Sequence, residues 1–279
     1  MVVQRTDNAY RLAYGCFQGY SGAIGSKRDL EHLESGPAGE VTPMHDAAIL
    51  NNNLLDTLPI DVYQRLRLKL EPVELKFGDT LYGEGDIFTH VYFVESGIIS
   101  VIAGDGEHAT IEVAMIGHEG MAPPPVFLGI KKSTCCAVVQ GEGVALRMTV
   151  ADFHEECAKG EDLSKVMGLF TYSIIMQLSR SAICNRFHST QSRLARWLLM
   201  THDRMKMDKF LITQQILSYM VGVRREAINK AAGAFQRDGL ISYTRGHMHI
   251  NDRRGLRSLA CNCYGMTVNA VPSILAANN

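Results

Sequence analysis

The pattern of apolar and polar positions divides the chain into segments of different character. Residues 1–45 are polar and rich in glycine, with weak periodicity, and we expect residues 1–47 to form a disordered extension. A short helical region follows from Ala48 to Leu70, with apolar residues available for packing at Leu54, Leu55, Leu58 and Tyr63. Because proline suits the first position of a helix, Pro59 predicts the start of a second helix there.

Residues 71–149 have the pattern of short β-strands. Six runs are rich in β-branched and aromatic residues: VELKF, HVYFVES, IISVIA, TIEVAMI, CCAVVQ and VALRM. Eleven glycines fall between Gly78 and Gly143, and Gly83 and Gly85 in FGDTLYGEGD can adopt positive φ in turns. Short strands with this density of glycine are typical of an antiparallel barrel or roll. We expect residues 48–160 to form one such domain.

After Thr149 the pattern becomes helical. Gly168 is the only glycine between Glu161 and Phe210. Apolar residues recur every three or four positions at Leu163, Met167, Phe170, Ile174, Leu178 and Ala182. Val166, Ile175 and Ile183 widen this stripe, so a helix over residues 161–188 is a candidate dimer interface; the alternative is a core helix of one domain. A second amphipathic helix is predicted from Ser189 to Met205, with four inward residues, Leu194, Trp197, Leu198 and Thr201.

The segment LITQQILSYMVGVRREAINKAAGAFQRDGL, residues 211–240, predicts a helix-turn-helix. Thr213 can cap a short helix that runs to Met220, and Gly222 suits the tight turn. The second helix is expected from Arg224 to Arg237, with Gly239 ending it. Two β-rich runs, 241–243 and 248–250, flank Arg245-Gly246 and predict a hairpin, or wing.

The second of these helices is amphipathic in a way that suits the major groove of DNA. Its inward positions are apolar: Ala227, Ile228, Ala231, Ala232 and Phe235. Its outward N-terminal positions carry groups that recognise bases or phosphates, because Arg can fork onto guanine, Glu can accept from cytosine, Asn can bridge adenine and Lys can neutralise a phosphate. The predicted DNA-binding residues are Thr213, Gln214, Arg224, Arg225, Glu226, Asn229, Lys230 and, at the tip of the wing, Arg245.

Charge is distributed unevenly along the chain. Its 279 residues are enough for two modest domains, and its 46 % hydrophobic and 20 % charged residues indicate a soluble globular protein. The segment from Arg204 to Arg257 contains eleven Lys or Arg and four Asp or Glu, which gives it a net charge of +7. Because the whole chain has a net charge of −1, the remainder carries −8. This split favours a regulator with a sensing half and a DNA-binding half. The chain has no GxSxG, HExxH, Walker or GxGxxG pattern, so we expect no catalytic residues and no enzyme.

The cysteines do not form the spacing of a disulfide framework. They stand at positions 16, 135, 136, 157, 184, 261 and 263, and without a signal peptide or an apolar run of membrane-spanning length we expect a cytoplasmic protein that does not bind a membrane. Cys135-Cys136 could be a redox pair or simply two strand residues. Cys261 and Cys263 have no nearby histidine in sequence, so no metal site and no cofactor are expected.

The sequence resembles the Crp/Fnr family, regulators related to the cyclic-AMP receptor protein, over about residues 48–260. Residues 212–256, from ITQQ to RRGL, resemble the family's helix-turn-helix and wing, and FGDTLYGEGDIFTHVYFVESGIISV resembles the first strands of its cyclic-nucleotide-binding-type β-roll. The resemblance implies an α+β fold: a β-roll sensor domain at 48–160, a dimerisation helix at 161–188, a winged helix-turn-helix DNA-binding domain at 189–260 and a tail at 261–279. It implies a homodimeric transcription regulator whose partners are double-stranded DNA, RNA polymerase and a small-molecule or redox effector.

The ligand-binding side departs from the family's pattern. Cyclic-nucleotide binders carry an arginine that pairs with the cyclic phosphate, whereas Ser133, or Lys132 in a shifted alignment, stands at that position here. Lysine cannot form the bidentate fork of arginine, and Pro123 to Pro125 remove three backbone donors from the segment expected to cradle the phosphate. The effector is therefore expected not to be cyclic AMP.

The family's iron–sulfur members use clustered N-terminal cysteines, which Cys16 alone cannot supply. His90 and His118 could ligate haem in principle. The alternative function is a β-roll protein that senses a ligand or partner and has lost specific DNA binding. The outward polar residues at 224–230 argue against this alternative.

Overall fold

The structure is a computed structural model that describes residues 51–104 and 110–268. The extension predicted for residues 1–47 lies outside these ranges. The described part begins with two short helices, α1 (Asn53–Asp56) and α2 (Ile60–Arg67). Asn52 caps α1 with its side chain, and Pro59 stands at the N-cap of α2, so the predicted second helix start is confirmed. Leu54, Leu55 and Leu58 are buried in the core below.

Two four-stranded antiparallel sheets form the β-roll. One sheet has the order β1-β8-β3-β6 and the other the order β2-β7-β4-β5. The strands are β1 (Glu71–Leu75), β2 (Thr80–Tyr82), β3 (His90–Val94), β4 (Ile98–Gly104), β5 (Thr110–Ile116), β6 (Met121–Ala122), β7 (Cys136–Gly141) and β8 (Gly143–Thr149). A 3₁₀ turn, Pro124–Leu128, follows β6. The α+β fold implied by the resemblance and the antiparallel roll predicted from the strand pattern are both confirmed, and all six predicted strand runs are present; β2 and β6 are too short to show periodicity.

Three helices lead out of the β-roll: α3 (Val150–Ala158), α4 (Glu161–Phe187) and α5 (Thr190–Met205). Thr149 and Ser189 cap α3 and α5 by accepting from backbone N–H groups of the first turn, which satisfies donors that have no partner within a helix. Helix α4 has 27 residues. Its N-terminal half is buried against the core of the β-roll at Leu163, Val166, Met167 and Phe170.

The C-terminal part contains a three-stranded sheet of order β10-β11-β9 with helices around it. Its elements are β9 (Lys209–Leu211), α6 (Gln214–Val221), α7 (Arg225–Arg237), β10 (Ile241–Thr244), β11 (His247–Ile250), α8 (Arg253–Leu259) and α9 (Cys263–Val268). The last of these helices lies within the segment expected to be a tail. Ile98, Ile102 and Met115 of the β-roll join the same apolar core as residues of α5, α6 and α7. The two domains therefore share a continuous core in this structure.

Candidate nucleic-acid interface

Helices α6 and α7 form a helix-turn-helix whose caps are encoded locally. The hydroxyl of Thr213 accepts from the backbone N–H of Ile216 over 3.2 Å and starts α6. Gly222 ends α6 with φ of +64°, in the left-handed region that side chains rarely adopt. Arg224 stands at the N-cap of α7, and Gly239, with φ of +71°, follows its C-terminus. The predicted helices agree with these bounds to within one residue.

Helix α7 presents an apolar side to α6 and a polar side to solvent. Ile228, Ala231, Ala232 and Phe235 are buried, and the two alanines allow the helices to approach closely. Five of the predicted contact residues are exposed at the start of α7: Arg224, Arg225, Glu226, Asn229 and Lys230. At 1.5 Å per residue the 13 residues of α7 span about 20 Å, enough to lie along a major groove.

The wing is a two-residue hairpin next to this helix. Thr244 pairs with His247, and both intervening residues have positive φ, +50° at Arg245 and +83° at Gly246. Positive φ at both central positions is the geometry of a type I′ turn, which matches the twist of a hairpin. Arg245 is exposed at the tip, as predicted.

Tyr243 fixes the wing against the helix-turn-helix. Its backbone N–H donates to the side chain of Gln236 on α7 over 2.9 Å, and its hydroxyl donates to the carbonyl of Ile212 over 2.8 Å. Burial raises the pKa of Tyr243 to about 12, and the positive charge of Arg225 opposes the rise. The hydrogen bonds of Tyr243 thus join β10, the first strand of the wing, to α7 and to the segment before α6.

The basic groups of this surface are available to an external anion. Within residues 51–104 and 110–268, no carboxylate forms an ion pair with Arg224, Arg225, Lys230 or Arg245. Thr213 and Gln214, the other predicted contact residues, are half-buried at the start of α6. We use the name DNA-facing surface for the residues predicted from the sequence to contact DNA: Thr213, Gln214, Arg224, Arg225, Glu226, Asn229, Lys230 and Arg245.

The junction between the two domains contains buried polar groups. The indole N–H of Trp197 on α5 donates to the carboxylate of Glu112 on β5 over 3.0 Å. Arg204 on α5 pairs with Glu119 in the loop after β5, with 2.6 Å between nitrogen and oxygen. Gln177 on α4 accepts from the backbone N–H of Met115 and donates to its carbonyl. The sequence predicted that Trp197 faces inward, but it gave no sign of these pairings, because the partners lie more than 60 positions apart.

The segment expected to cradle a cyclic phosphate is a 3₁₀ turn rich in proline. Pro123 and Pro124 are buried there. Of the two residues that stand in for the missing arginine, Lys132 is exposed and Ser133 is buried. The hydroxyl of Ser133 donates to the carbonyl of Cys135 over 2.5 Å. Cys135 has a free thiol, so the adjacent cysteines 135 and 136 are not joined to each other.

A β-roll joined through a long helix to a winged helix-turn-helix is the architecture of a class of transcription regulators. Residues 72–159 match the cyclic nucleotide-binding domain family, and residues 192–259 match the Crp-like helix-turn-helix domain family. Together the two matches cover more than half of the chain. The chain belongs to the Crp/Fnr family of transcription regulators. Comparison with curated proteins gave no match.

Several solved structures share this fold. A Crp/Fnr-family regulator from Eubacterium rectale is 16 % identical, with a TM-score of 0.58 over 74 % of this chain and 97 % of that one. CLP from Xanthomonas campestris, described as a c-di-GMP-responsive global regulator, is 14 % identical, with a TM-score of 0.57 over 69 % and 99 %. FixK2 from Bradyrhizobium japonicum is 10 % identical, with a TM-score of 0.56 over 69 % and 98 %. At these identities the likeness shows the fold alone.

The length and hydropathy of the helices bear on whether they could cross a membrane. No helix within the described ranges has the length and hydropathy that crossing a bilayer requires.

Four potential metal ligands, Cys184, His188, Cys261 and Cys263, meet at the end of α4. The expectation that Cys261 and Cys263 have no histidine nearby is wrong for the folded chain, because the fold brings His188, 75 positions from Cys263 in sequence, next to them.

Proposed function

We propose that this chain is a sequence-specific, dimeric DNA-binding regulator of transcription. The observation that carries the proposal is the DNA-facing surface, where Arg224, Arg225, Lys230 and Arg245 are exposed and unpaired with any described carboxylate. Exposed cations without a carboxylate partner attract a polyanion and release its counterions on binding. The helix-turn-helix supplies a rigid scaffold that presents them together.

The roles of these residues follow from their chemistry and their place on α7. Arg225, Glu226 and Asn229 lie in the first five residues of the helix, the part that contacts base edges in helix-turn-helix complexes. Their donors and acceptors suit guanine, cytosine and adenine respectively. Arg224, Lys230 and Arg245, with Thr213 and Gln214 at the start of α6, fit phosphate contacts, which fix the register of a protein on the duplex.

Helix α4 is the surface best suited to join two copies of the chain. Five large apolar side chains between the middle and the C-terminus of α4 are exposed, from 40 to 73 % of their area: Tyr172, Ile175, Leu178, Ile183 and Phe187. With about 100° of rotation per residue, Tyr172, Ile175 and Ile183 lie opposite the buried residues of the same helix, and Leu178 and Phe187 flank them on either side. Helix-turn-helix proteins read paired half-sites as dimers, and a second α4 would cover this face.

The dimer is tested by replacing one apolar residue of this face with a charge. In Ile175→Glu, analytical ultracentrifugation is expected to show a monomer at concentrations where the unchanged protein is a dimer. Ile60→Glu on α2 is the matched control, because Ile60 is also exposed, at 69 % against 52 % for Ile175. A dimer that persists in Ile175→Glu, or one lost equally in Ile60→Glu, contradicts the assignment.

DNA recognition is tested by selecting binding sites from random duplexes with the full chain. The expected product is a near-palindrome whose half-sites lie about one helical turn, roughly 34 Å, apart. A selection that enriches no sequence, with only salt-sensitive binding to every duplex, would support instead a β-roll protein that has lost specific DNA binding.

We further propose that the effector is not cyclic AMP, and that the effector and RNA polymerase are the regulator's other partners. Ser133 is buried and its hydroxyl is engaged, while Lys132 faces solvent, so neither offers the bidentate donor that a cyclic phosphate requires. Pro123 and Pro124 also lack the backbone donors of a phosphate-binding turn. Calorimetric titration with cyclic AMP is expected to give no heat of binding; micromolar affinity refutes this part of the proposal.

A further inference from the structure

Four side chains that can each ligate a metal ion converge where α4 ends. Cys184 lies in the last turn of α4 and His188 directly follows it, while Cys261 and Cys263 lie just before and at the start of α9. The sulfur atoms of Cys184 and Cys261 are 3.6 Å apart, and Nδ1 of His188 is 3.7 Å from the sulfur of Cys263. All four potential ligand atoms lie within 4.8 Å of one another.

These separations fit a single tetrahedral ion. With zinc bonds of about 2.3 Å to sulfur and about 2.0 Å to nitrogen, tetrahedral geometry places two sulfur ligands about 3.8 Å apart and a sulfur and a nitrogen about 3.5 Å apart. The measured 3.6 and 3.7 Å agree with both values. A four-iron cluster binds each thiolate through a different iron atom, which would hold the ligands further apart than they are here.

The surroundings of the cluster suit a closed, structural site. Cys184 and Cys263 are 1 % and 4 % exposed, and His188 and Cys261 are partly buried. Three thiolates around a divalent ion leave a net charge of −1, which burial disfavours. The positive charge of Arg196 on α5 acts on the sulfur atoms of Cys184 and Cys263 and compensates it.

The two halves of the cluster are positioned by independent packing. Cys184 lies in the last turn of α4 and His188 directly follows it, and the N-terminal half of this helix packs on the β-roll. The segment with Cys261 and Cys263 is held by Tyr264, whose hydroxyl donates to Asp203 on α5 over 2.7 Å and accepts from Arg253 on α8 over 2.8 Å. These contacts lie outside the cluster and help to hold its two halves next to each other.

We propose that Cys184, His188, Cys261 and Cys263 form a Cys₃His site for Zn²⁺. The site joins the end of α4 to the segment that follows α8. The chain turns from α4 into α5 at His188-Ser189, so a bound ion fixes this turn and ties the C-terminal segment to it. Cysteine and histidine with no carboxylate is the ligand set of structural zinc sites.

The experiment uses the full chain, purified under reducing conditions, stripped with a chelator and reloaded with Zn²⁺ or Co²⁺. We expect one ion per chain by elemental analysis, a higher melting temperature with Zn²⁺, and a Co²⁺ spectrum with tetrahedral bands and thiolate charge transfer. Cys261→Ser should weaken Zn²⁺ binding by more than about 100-fold, since even the loss of an outer hydrogen-bond partner costs 10–100-fold. Cys135→Ser, a free thiol outside the cluster, should bind Zn²⁺ like the unchanged chain.

A second pair of variants keeps the test decisive if Cys261→Ser does not fold. His188→Ala should weaken binding as Cys261→Ser does, whereas His188→Cys retains four ligands and should still hold one ion. Equal Zn²⁺ binding by Cys261→Ser and Cys135→Ser overturns the proposal. So does a Co²⁺ spectrum without thiolate charge transfer, or a disulfide between Cys184 and Cys261 that persists in the reduced preparation, because it removes two of the ligands.

Discussion

Glu112 on β5 is a carboxyl group enclosed at the junction of the two domains. Trp197 donates to one of its oxygens over 3.0 Å and Ser100 to the other over 2.5 Å. Burial raises the pKa of Glu112 from 4.5 to about 7, against the opposing effects of these hydrogen bonds and of the charges of Arg204 and Arg196. We predict that Glu112→Gln, which keeps the shape and one acceptor oxygen, removes a pH-dependent loss of stability.

The sign and size of this effect follow from the two pKa values. In the unfolded chain Glu112 ionises near 4.5, whereas in the folded protein it stays protonated until about pH 7. Between these values the folded state binds more protons, so the free energy of unfolding falls as the pH rises and does not recover above pH 7. Each tenfold change in proton affinity is worth about 1.4 kcal/mol, which makes the loss on the order of 3 kcal/mol.

Urea denaturation at several pH values measures this loss. Trp197 is the only tryptophan of the chain and contacts Glu112, so its fluorescence reports the junction directly. Glu112→Gln should match the unchanged protein near pH 5 and exceed its free energy of unfolding by about 3 kcal/mol near pH 8. Glu142→Gln, at an exposed carboxyl, is the control and should follow the unchanged protein throughout. If the difference between Glu112→Gln and the unchanged protein is the same at both pH values, the reasoning is refuted.

Three other substitutions test the DNA-facing surface and the packing behind it. Arg225→Ala should relax preference at one base pair by about 1–3 kcal/mol in gel-shift titrations with operator variants; unchanged selectivity would remove Arg225 from base recognition. Lys230→Ala should weaken binding to every sequence and lower the slope of log affinity against log salt by about one, whereas Lys76→Ala, 71 % exposed on the β-roll, should change neither. Gly222→Ala should lower the melting temperature more than Gly239→Ala. Both glycines have positive φ, which costs an L-residue about 1–2 kcal/mol, but only at Gly222 would the added Cβ collide with β5. Equal losses would show that α6 does not pack on the β-roll.

The parts of this fold that the sequence predicted are those encoded by neighbouring residues. Thr213 caps α6 through a residue three positions on, and Gly222 and Gly239 end their helices through their own φ. The apolar side of α7 repeats every three or four positions, so its exposed side could be read directly. Strands β2, β6 and β9 have two or three residues each, which is too few for an alternating pattern.

The metal cluster and the domain junction depend on packing over long distances. Cys184 and Cys261 are 77 positions apart and Glu112 and Trp197 are 85 apart, so no local spacing marks them as partners. Glu112 stands in a strand where a carboxylate would ordinarily face solvent. The docking of α5 places Trp197 on the carboxyl group of Glu112, and the burial of that group raises its pKa.

The docking of the C-terminal helices on the β-roll also connects the β-roll to the DNA-facing surface through an unbroken series of packing contacts. Helix α6 packs directly on β5, with Gly222 against Ile111, and α6 in turn supports α7. The ion pair of Arg204 with Glu119 joins α5 to the loop after β5, and its side chains are only 8 % and 18 % exposed. Partial burial protects this pair from screening by salt, so salt should act mainly on the DNA contacts and little on the contact between domains. A ligand that displaces β5 must therefore either carry α6 and α7 with it or break these buried contacts, and under the proposed function both outcomes would change how α7 meets DNA.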